Sequence, residues 1–317
     1  MIEIGQHLWG MTSGGEAIVL YTMRNAQGAE VKLTNYGATI VAITVPDREG
    51  RMADVALGYK HPEGYFHDNA ACGKSVGCFA EQVWESRVET NRVVMELLSD
   101  NSAPDKPGEL HAQAIFDFDD DCSLEITYRA RTNSTTPVDL TNRLYFNLSG
   151  EASGTVLDHE LQLNSSLVPE INERQRPTGR LSDVTDTPQD FRKFQSLRTG
   201  IDAAYNHIRD FRGYAHSFVI EDWKPGILGI AGCLRDPQSG RQVEVLTSQP
   251  CVMIYTGNRL SDGCPETKSG GRYENHAGVA IECQNFPDAV NHPEFPSPLL
   301  HPGQTYCQKT VYRFGTF

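Results

Sequence analysis

The chain has 317 residues, and its 28 Lys and Arg against 41 Asp and Glu give a formal net charge of −13. This acidic excess repels phosphate backbones, and no basic cluster interrupts it, which argues against a nucleic-acid partner. No stretch approaches the roughly 18 apolar residues of a membrane helix, which argues against a membrane role. The hydrophobic share of 39% is ample for a packed core, so we expect a folded globular protein.

The eight cysteines include no C-x-x-C pair, and no histidine stands at zinc-ligand spacing from two of them, which predicts a protein without a metal site. No phosphate loop or nucleotide-binding motif appears, so we expect no cofactor. Residues 1–7 lack a basic region followed by an apolar run. We therefore expect a cytoplasmic protein with reduced thiols.

Alternation of apolar and polar residues recurs along the chain and predicts strands. The nearly apolar residues 39–45 fit a strand that is covered on both faces. Later segments place apolar side chains on one face only, at residues 124–129, 160–163, 242–246 and 310–314. Helical spacing is confined to 188–197, which predicts one short helix. The pattern indicates an all-β protein, a large antiparallel β-sandwich with very little helix, formed by residues 1–317 as a single domain.

Six segments stand in order along the chain: LTNYGATI at 33–40, DVALGY at 54–59, PVDLTNRLYFNL at 137–148, YTGN at 255–258, IECQNFPDAVNHP at 281–293 and LLHPGQTY at 299–306. Together they resemble the aldose 1-epimerase (galactose mutarotase) family. The resemblance implies the family's large twisted β-sandwich. It also implies a small-molecule ligand, either a sugar or a less polar cyclic compound, and we expect a monomer or dimer.

Mutarotases interconvert the anomers of a free sugar with a carboxylate base and an imidazole acid, and the resemblance places Glu282 at the position of the base. Arg143 stands where the family has its acid histidine. A guanidinium donates protons poorly at pH 7 but can stabilise a developing oxyanion. Alternatively, Arg143 and Glu282 form an ion pair that lowers the pKa of the glutamate. His216 is a candidate replacement acid or an ordinary strand residue.

The predicted ligand contacts also depart from the family pattern. Ala215 falls at the position of a sugar-binding aspartate, and Met253 replaces a glutamine that contacts the sugar. These losses of polarity favour a ligand with fewer hydroxyl groups than a hexose. Glu81 and Gln82 replace an Asn-Arg pair, and the histidine-bearing segment that should follow them is missing. The remaining candidate contacts are Asn142 and Tyr145.

Three hypotheses remain open at this stage. The first is a proton-transfer isomerase or cyclase that acts on a cyclic hemiacetal, lactol or related carbonyl compound through Glu282. The second is a non-catalytic carbohydrate-binding or regulatory protein, and the third is a slow aldose 1-epimerase. Trp84 either covers the shortened edge or stacks on a ligand ring, and Cys251 and Cys78 are weak candidates for a nucleophile because no partner base is evident.

Overall fold

The computed structural model describes residues 2–66, 79–99, 108–203 and 205–317. Strands dominate these residues. In chain order they are β1 (Glu3–Met11), β2 (Ala17–Arg24), β3 (Glu30–Thr34), β4 (Thr39–Pro46), β5 (Met52–Asp54), β6 (Glu85–Glu89), β7 (Arg92–Ser99), β8 (Leu110–Phe118), β9 (Ser123–Thr132), β10 (Thr136–Pro137), β11 (Tyr145–Phe146), β12 (Glu160–Leu163), β13 (Leu167–Ile171), β14 (Pro177–Asp183), β15 (Gln195–Ser196), β16 (Ala215–Val219), β17 (Gly229–Arg235), β18 (Arg241–Thr247), β19 (Cys251–Tyr255), β20 (Val279–Gln284), β21 (Leu299–Leu300) and β22 (Tyr306–Thr316).

Helix in the described residues is limited to short pieces: α1 (Glu63–Phe66), α2 (Leu197–Asp202), α3 (Asn206–Phe211) and one 3₁₀ turn (Ala289–Asn291). None of the helices in these ranges is long and apolar enough to cross a bilayer. The prediction of an all-β chain with very little helix is confirmed.

The predicted helix at 188–197 is wrong, because the groups that would bond within a helix bond elsewhere. The carbonyl of Pro188 accepts a hydrogen bond from the hydroxyl of Tyr214 at 2.7 Å. The carbonyl of Phe191 accepts one from the amide of Leu163, in β12, at 2.8 Å. The three-residue spacing of apolar side chains therefore reflects an irregular segment that packs on the sheet, and helix begins only at Leu197.

The strands form three main sheets and one small pair, and all of their pairings are antiparallel. One sheet holds five strands in the order β1-β2-β3-β4-β5, a second holds six in the order β11-β20-β19-β16-β13-β14, and a third holds nine in the order β15-β12-β17-β18-β22-β9-β8-β7-β6. The ring of Phe146 in the six-stranded sheet lies 5.2 Å from Tyr312 and 6.1 Å from Phe314 in the nine-stranded sheet. These packed sheets confirm the predicted antiparallel sandwich.

The six-stranded sheet has one face in the core and one face that carries polar side chains. Side chains alternate between the faces of a strand, and directly paired residues share a face. Ile281, Ile254 and Phe218 belong to the main buried cluster. The residues that alternate with them, Glu282 in β20 and Met253 in β19, lie on the opposite face. We call this second side of the six-stranded sheet the site face.

The segment before β6 closes onto the turn between β3 and β4. The amide of Gly37 donates to the carbonyl of Gln82 at 2.8 Å, and the amide of Trp84 donates to the carbonyl of Asn35 at 2.8 Å. Gly37 adopts a φ of +68°, and a Cβ atom there would overlap the backbone oxygen of Ala80. This close approach therefore requires glycine, both for its backbone conformation and for its lack of a side chain.

We expect Gly37→Ala to lower the free energy of unfolding by about 3 kcal/mol, because backbone strain adds to a steric overlap. Gly15→Ala is the matched control, since Gly15 has a φ of +84° and a Cβ atom at that position would meet nothing within 4 Å. In that variant the free energy of unfolding should fall by only about 1 kcal/mol, the cost of placing alanine in a left-handed backbone conformation. Urea unfolding measures both changes, and equal losses would contradict the close approach at Gly37.

Candidate functional site

A row of three side chains crosses the site face. Glu282 pairs with Met253 on the neighbouring strand, and Met253 pairs with Ser217 on the next. The hydroxyl of Ser217 donates to the sulfur of Met253 at 3.7 Å. The row therefore places one carboxylate beside a thioether, with a hydroxyl group on the far side of the thioether.

Arg143 reaches this row from the loop before β11. Its Nε donates to Oε1 of Glu282 at 3.0 Å. The side chain of Glu282 is 3% exposed, whereas that of Arg143 is 33% exposed. The buried carboxylate thus contacts the guanidinium of a side chain that is itself partly exposed.

A second contact fixes the approach of Arg143. The carboxylate of Asp139 accepts hydrogen bonds from the amide of Asn285 at 3.1 Å and from the side-chain amide of Gln249 at 3.1 Å. Burial raises the pKa of Asp139 to about 6, although these two hydrogen bonds act to lower it. Residues 139–143 are therefore held against the end of β20 at two points, one of which is the contact between Arg143 and Glu282.

The electrostatics of Glu282 differ from the sequence-based expectation. Burial raises the pKa of Glu282, and the charge and hydrogen bond of Arg143 oppose that rise without cancelling it. In turn, burial lowers the pKa of Arg143, but the charge and hydrogen bond of Glu282 together with the charges of Tyr145 and Tyr255 outweigh that effect, and the pKa is raised. The predicted ion pair is present and acts to lower the pKa of the glutamate, but the net change is upward because desolvation of the buried carboxylate is the larger effect.

Two tyrosines complete the immediate surroundings of Arg143. The rings of Tyr145 and Tyr255 meet edge to face with their centroids 6.1 Å apart. Both phenols interact electrostatically with Arg143. Tyr145, a predicted ligand contact, is buried, whereas Tyr255 is partly exposed. Sequence reasoning did not single out Tyr255, although alternation along β19 places it on the same face as Met253.

His216 lies on the other side of the sheet. It pairs with Ile254, a core residue, rather than with Met253. Its ring contacts Phe211 at 5.4 Å and borders a separate cavity of about 70 Å³. The structure therefore does not bring His216 together with Glu282, because consecutive residues of a strand point to opposite faces.

The other predicted ligand contacts fall in three places. Ala215 pairs with Tyr255 and lies on the site face. Asn142 is buried, and its side-chain oxygen accepts a hydrogen bond from the hydroxyl of Tyr312 at 3.2 Å, which directs it toward the core. Glu81 and Gln82 are exposed in the turn before β6, and the charge of Glu81 acts on Tyr36. Tyr36 belongs to the same buried cluster as Tyr145.

Trp84 covers the edge rather than presenting a ring to a ligand. It is 1% exposed, its ring packs edge to face on Phe79, and its indole N–H donates to the carbonyl of Phe79 at 3.0 Å. Cys251 is fully buried, and burial raises the pKa of its thiol well above the usual value, which disfavours the nucleophilic thiolate. Cys78 lies outside the described residues.

His111 is a residue of strand β8. Within residues 2–66, 79–99, 108–203 and 205–317, no three His, Cys, Asp or Glu side chains are arranged to hold a metal ion. As described, the site therefore holds one carboxylate, one guanidinium, two phenols, the hydroxyl of Ser217 and their small or apolar neighbours.

We expect Arg143→Met to make stability more dependent on pH. A raised pKa in the folded state means that the folded chain binds the proton more tightly than the unfolded chain, so stability falls as pH rises through that pKa. Without Arg143 the buried carboxylate loses the positive charge that it contacts. The loss of folding stability between pH 5 and pH 8 should therefore grow by about 3 kcal/mol.

The matched variant is Arg143→Lys, which keeps a positive charge and should show a smaller loss. Urea unfolding at the two pH values measures the change. If wild type and Arg143→Met lose the same stability between pH 5 and pH 8, the electrostatic coupling to Glu282 is absent.

Comparison with known proteins shows matches over nearly the whole chain. A family model described as aldose 1-epimerase matches residues 19–83 and 77–313. Galactose mutarotase of Mus musculus is 33% identical over 352 aligned positions, which cover 99% of this chain and 99% of the mouse protein. Aldose 1-epimerase of Escherichia coli is 30% identical, covering 95% of this chain and 96% of the relative. The crystal structure of an aldose epimerase homologue from C. elegans has a TM-score of 0.83 at 25% identity, covering 100% of this chain and 99% of that one.

The matches also bear on the shortened segment. The alignment with the mouse protein is longer than the 317 residues of this chain, so the relative carries residues that have no counterpart here. The two segments of the family match meet at residues 77–83, beside the expected position of the missing histidine-bearing stretch. On the family match and the full-length relatives together, the chain belongs to the aldose 1-epimerase family.

Proposed function

We propose that this chain is an isomerase that opens and recloses a cyclic hemiacetal with fewer hydroxyl groups than a hexose. In this reaction the carboxylate of Glu282 takes the proton of the hemiacetal hydroxyl, the ring bond breaks, and rotation before closure gives the other anomer. The observation that carries the proposal is the buried carboxylate of Glu282 on the site face, in contact with a single guanidinium at 3.0 Å.

The raised pKa of Glu282 supports a role as proton acceptor. General bases work best when their pKa lies close to the working pH, and an exposed carboxylate is too weak a base for this purpose. Burial moves the pKa of Glu282 in the required direction, and the charge and hydrogen bond of Arg143 oppose the rise. The glutamate is thus a stronger base than one in water.

Arg143 supplies positive charge to the same reaction. Its Nε is bonded to Glu282, and the side chain is 33% exposed. A guanidinium has further N–H donors beyond Nε that can reach a ligand oxygen. Charge that develops on the ring oxygen as the ring bond breaks is therefore stabilised from the solvent side of the pair.

The neighbours of Glu282 favour a ligand of reduced polarity. Met253 flanks the carboxylate on the adjacent strand, and Ala215 lies on the same face one strand further. Neither side chain offers a strong hydrogen bond to a sugar hydroxyl. A ligand hydroxyl buried against them would lose its hydrogen bonds to water without replacement, which disfavours a fully hydroxylated hexose.

The close contact between Arg143 and Glu282 also favours a second candidate, a non-catalytic sugar-binding protein. In that case the guanidinium satisfies the carboxylate permanently, and no proton moves. The two candidates differ in one measurable respect, since only the isomerase accelerates the interconversion of anomers.

We expect wild-type protein to accelerate the mutarotation of freshly dissolved 2-deoxy-D-galactose or 6-deoxy-D-galactose more than that of α-D-galactose or α-D-glucose. Polarimetry measures the rates. Glu282→Gln should reduce the acceleration by at least about 10²-fold, because the amide keeps the shape of the carboxylate but cannot take a proton.

The matched control is Glu173→Gln, at an exposed turn position, which should leave the rate unchanged. Saturable sugar binding without any acceleration would support the binding-protein candidate instead. Equal rates for wild type and Glu282→Gln would remove Glu282 from the mechanism.

The polarity of the pocket gives a separate prediction. Met253→Gln introduces a side-chain amide next to Glu282. The ratio of the acceleration for α-D-galactose to that for 2-deoxy-D-galactose should therefore rise by about tenfold, because one additional hydrogen bond to the sugar has an effect of that size. Met253→Leu keeps the apolar character and should leave that ratio as in wild type. A ratio that is the same in all three proteins would show that residue 253 does not select the ligand.

A further inference from the structure

Opening a hemiacetal ring requires a proton for the ring oxygen as well as a base for the hydroxyl group. Arg143 supplies charge but is a poor proton donor, because a guanidinium has a high pKa and the anionic and phenolic groups around Arg143 raise it further despite burial. His216 lies on the opposite face of the sheet. Among the residues that the structure describes, the donor is therefore expected in the other groups on the site face.

Tyr255 stands on that face, diagonally across from Glu282. It pairs with Ala280 on β20 and with Ala215 on β16, while the neighbouring position on the same face of β19, Met253, pairs with Glu282. Diagonal neighbours in an antiparallel pair lie about 7–8 Å apart, within reach of a long side chain. Since both flanking residues are alanines, neither covers the tyrosine ring, and Tyr255 is partly exposed.

Groups that would stabilise a phenolate surround the side chain of Tyr255. Burial raises the pKa of the phenol, while backbone hydrogen bonds from Arg259 and Asn258 and the charge of Arg143 oppose that rise. The phenol therefore holds its proton at rest. Because the turn after β19 and the contact between Arg143 and Glu282 fix these groups, they would stabilise a phenolate formed during a reaction without rearranging, as preorganised donors do.

Tyr145 is a weaker candidate for this role. Its side chain is 1% exposed, and it meets Tyr255 edge to face at 6.1 Å. Its buried ring therefore supports the ring of Tyr255, which is itself partly exposed.

We propose that Tyr255 is the proton donor to the ring oxygen, acting opposite Glu282 in place of the imidazole that the chain lacks at position 143. This inference rests on the proposed function. As Glu282 takes the hydroxyl proton, the electron pair of the ring C–O bond passes to the ring oxygen, which takes the phenol proton of Tyr255. Reclosure returns both protons: the new hydroxyl gives its proton back to the phenolate, and Glu282 protonates the carbonyl oxygen.

The test is Tyr255→Phe, assayed by polarimetry with the four sugars named above. We expect kcat to fall by about 10²-fold with little change in the Kd of the sugar, because a general acid acts in the transition state. In a plot of kcat against pH, the fall on the acidic side should occur at the same pH as in wild type, since Glu282 and Arg143 are unchanged. Tyr255→His restores a donor and should recover part of the lost rate.

The matched control is Tyr21→Phe in the five-stranded sheet, which removes a buried hydroxyl that contacts Ser86 at 2.8 Å and should leave kcat unchanged. A Tyr255→Phe rate within about threefold of wild type, while Glu282→Gln is inactive, overturns this inference and leaves the proposed function intact. A loss confined to Kd also overturns it, because the tyrosine would then only bind. If wild type accelerates none of the four sugars, the proposed function fails and this inference fails with it.

Discussion

The central interaction of this molecule is the burial of one carboxylate against one guanidinium on a pleated sheet. Removing a carboxylate from water is costly, and a single hydrogen bond from Arg143 does not fully offset that cost, which is why the pKa of Glu282 is raised despite the adjacent positive charge. The contact depends on register, since a one-residue shift of β20 would exchange Glu282 for Ile281 or Cys283. The antiparallel pairing on both sides of β19 therefore sets the chemistry of the site as well as its shape.

Among the residues that the structure describes, few polar groups surround this pair, and the interpretation of the ligand depends on that scarcity. Family membership comes from the whole chain, whereas the substrate must be inferred from a small number of side chains. A thioether and a methyl group occupy positions where hydroxyl-binding groups would be useful to a hexose-specific enzyme. The other functional groups described on this face are the guanidinium of Arg143, two phenols and the hydroxyl of Ser217, a small set for recognition of a full ring of hydroxyl groups.

Much of the fold was predictable because alternation of apolar residues directly reflects burial in a sheet. Glu282, Arg143, Met253 and Ala215 could be assigned to one site from motif positions alone. His216 could not be placed that way, because proximity in sequence to Ala215 put it on the opposite face. The pKa of Glu282 was misjudged in direction, since a sequence shows a possible partner charge but not how much water has been removed. The expected helix at 188–197 failed for a related reason: its carbonyls bond to distant residues that a local pattern does not reveal.

The two-faced construction of the six-stranded sheet has a consequence for how such a protein changes over generations. Ile281, Ile254 and Phe218 pack in the core, and the residues that alternate with them form the site face. Replacements on the site face leave the hydrophobic layer untouched, so selection for a new ligand at this face and selection for a folded chain would act on separate sets of codons. An architecture of this kind can exchange its substrate in small steps while its backbone is inherited intact.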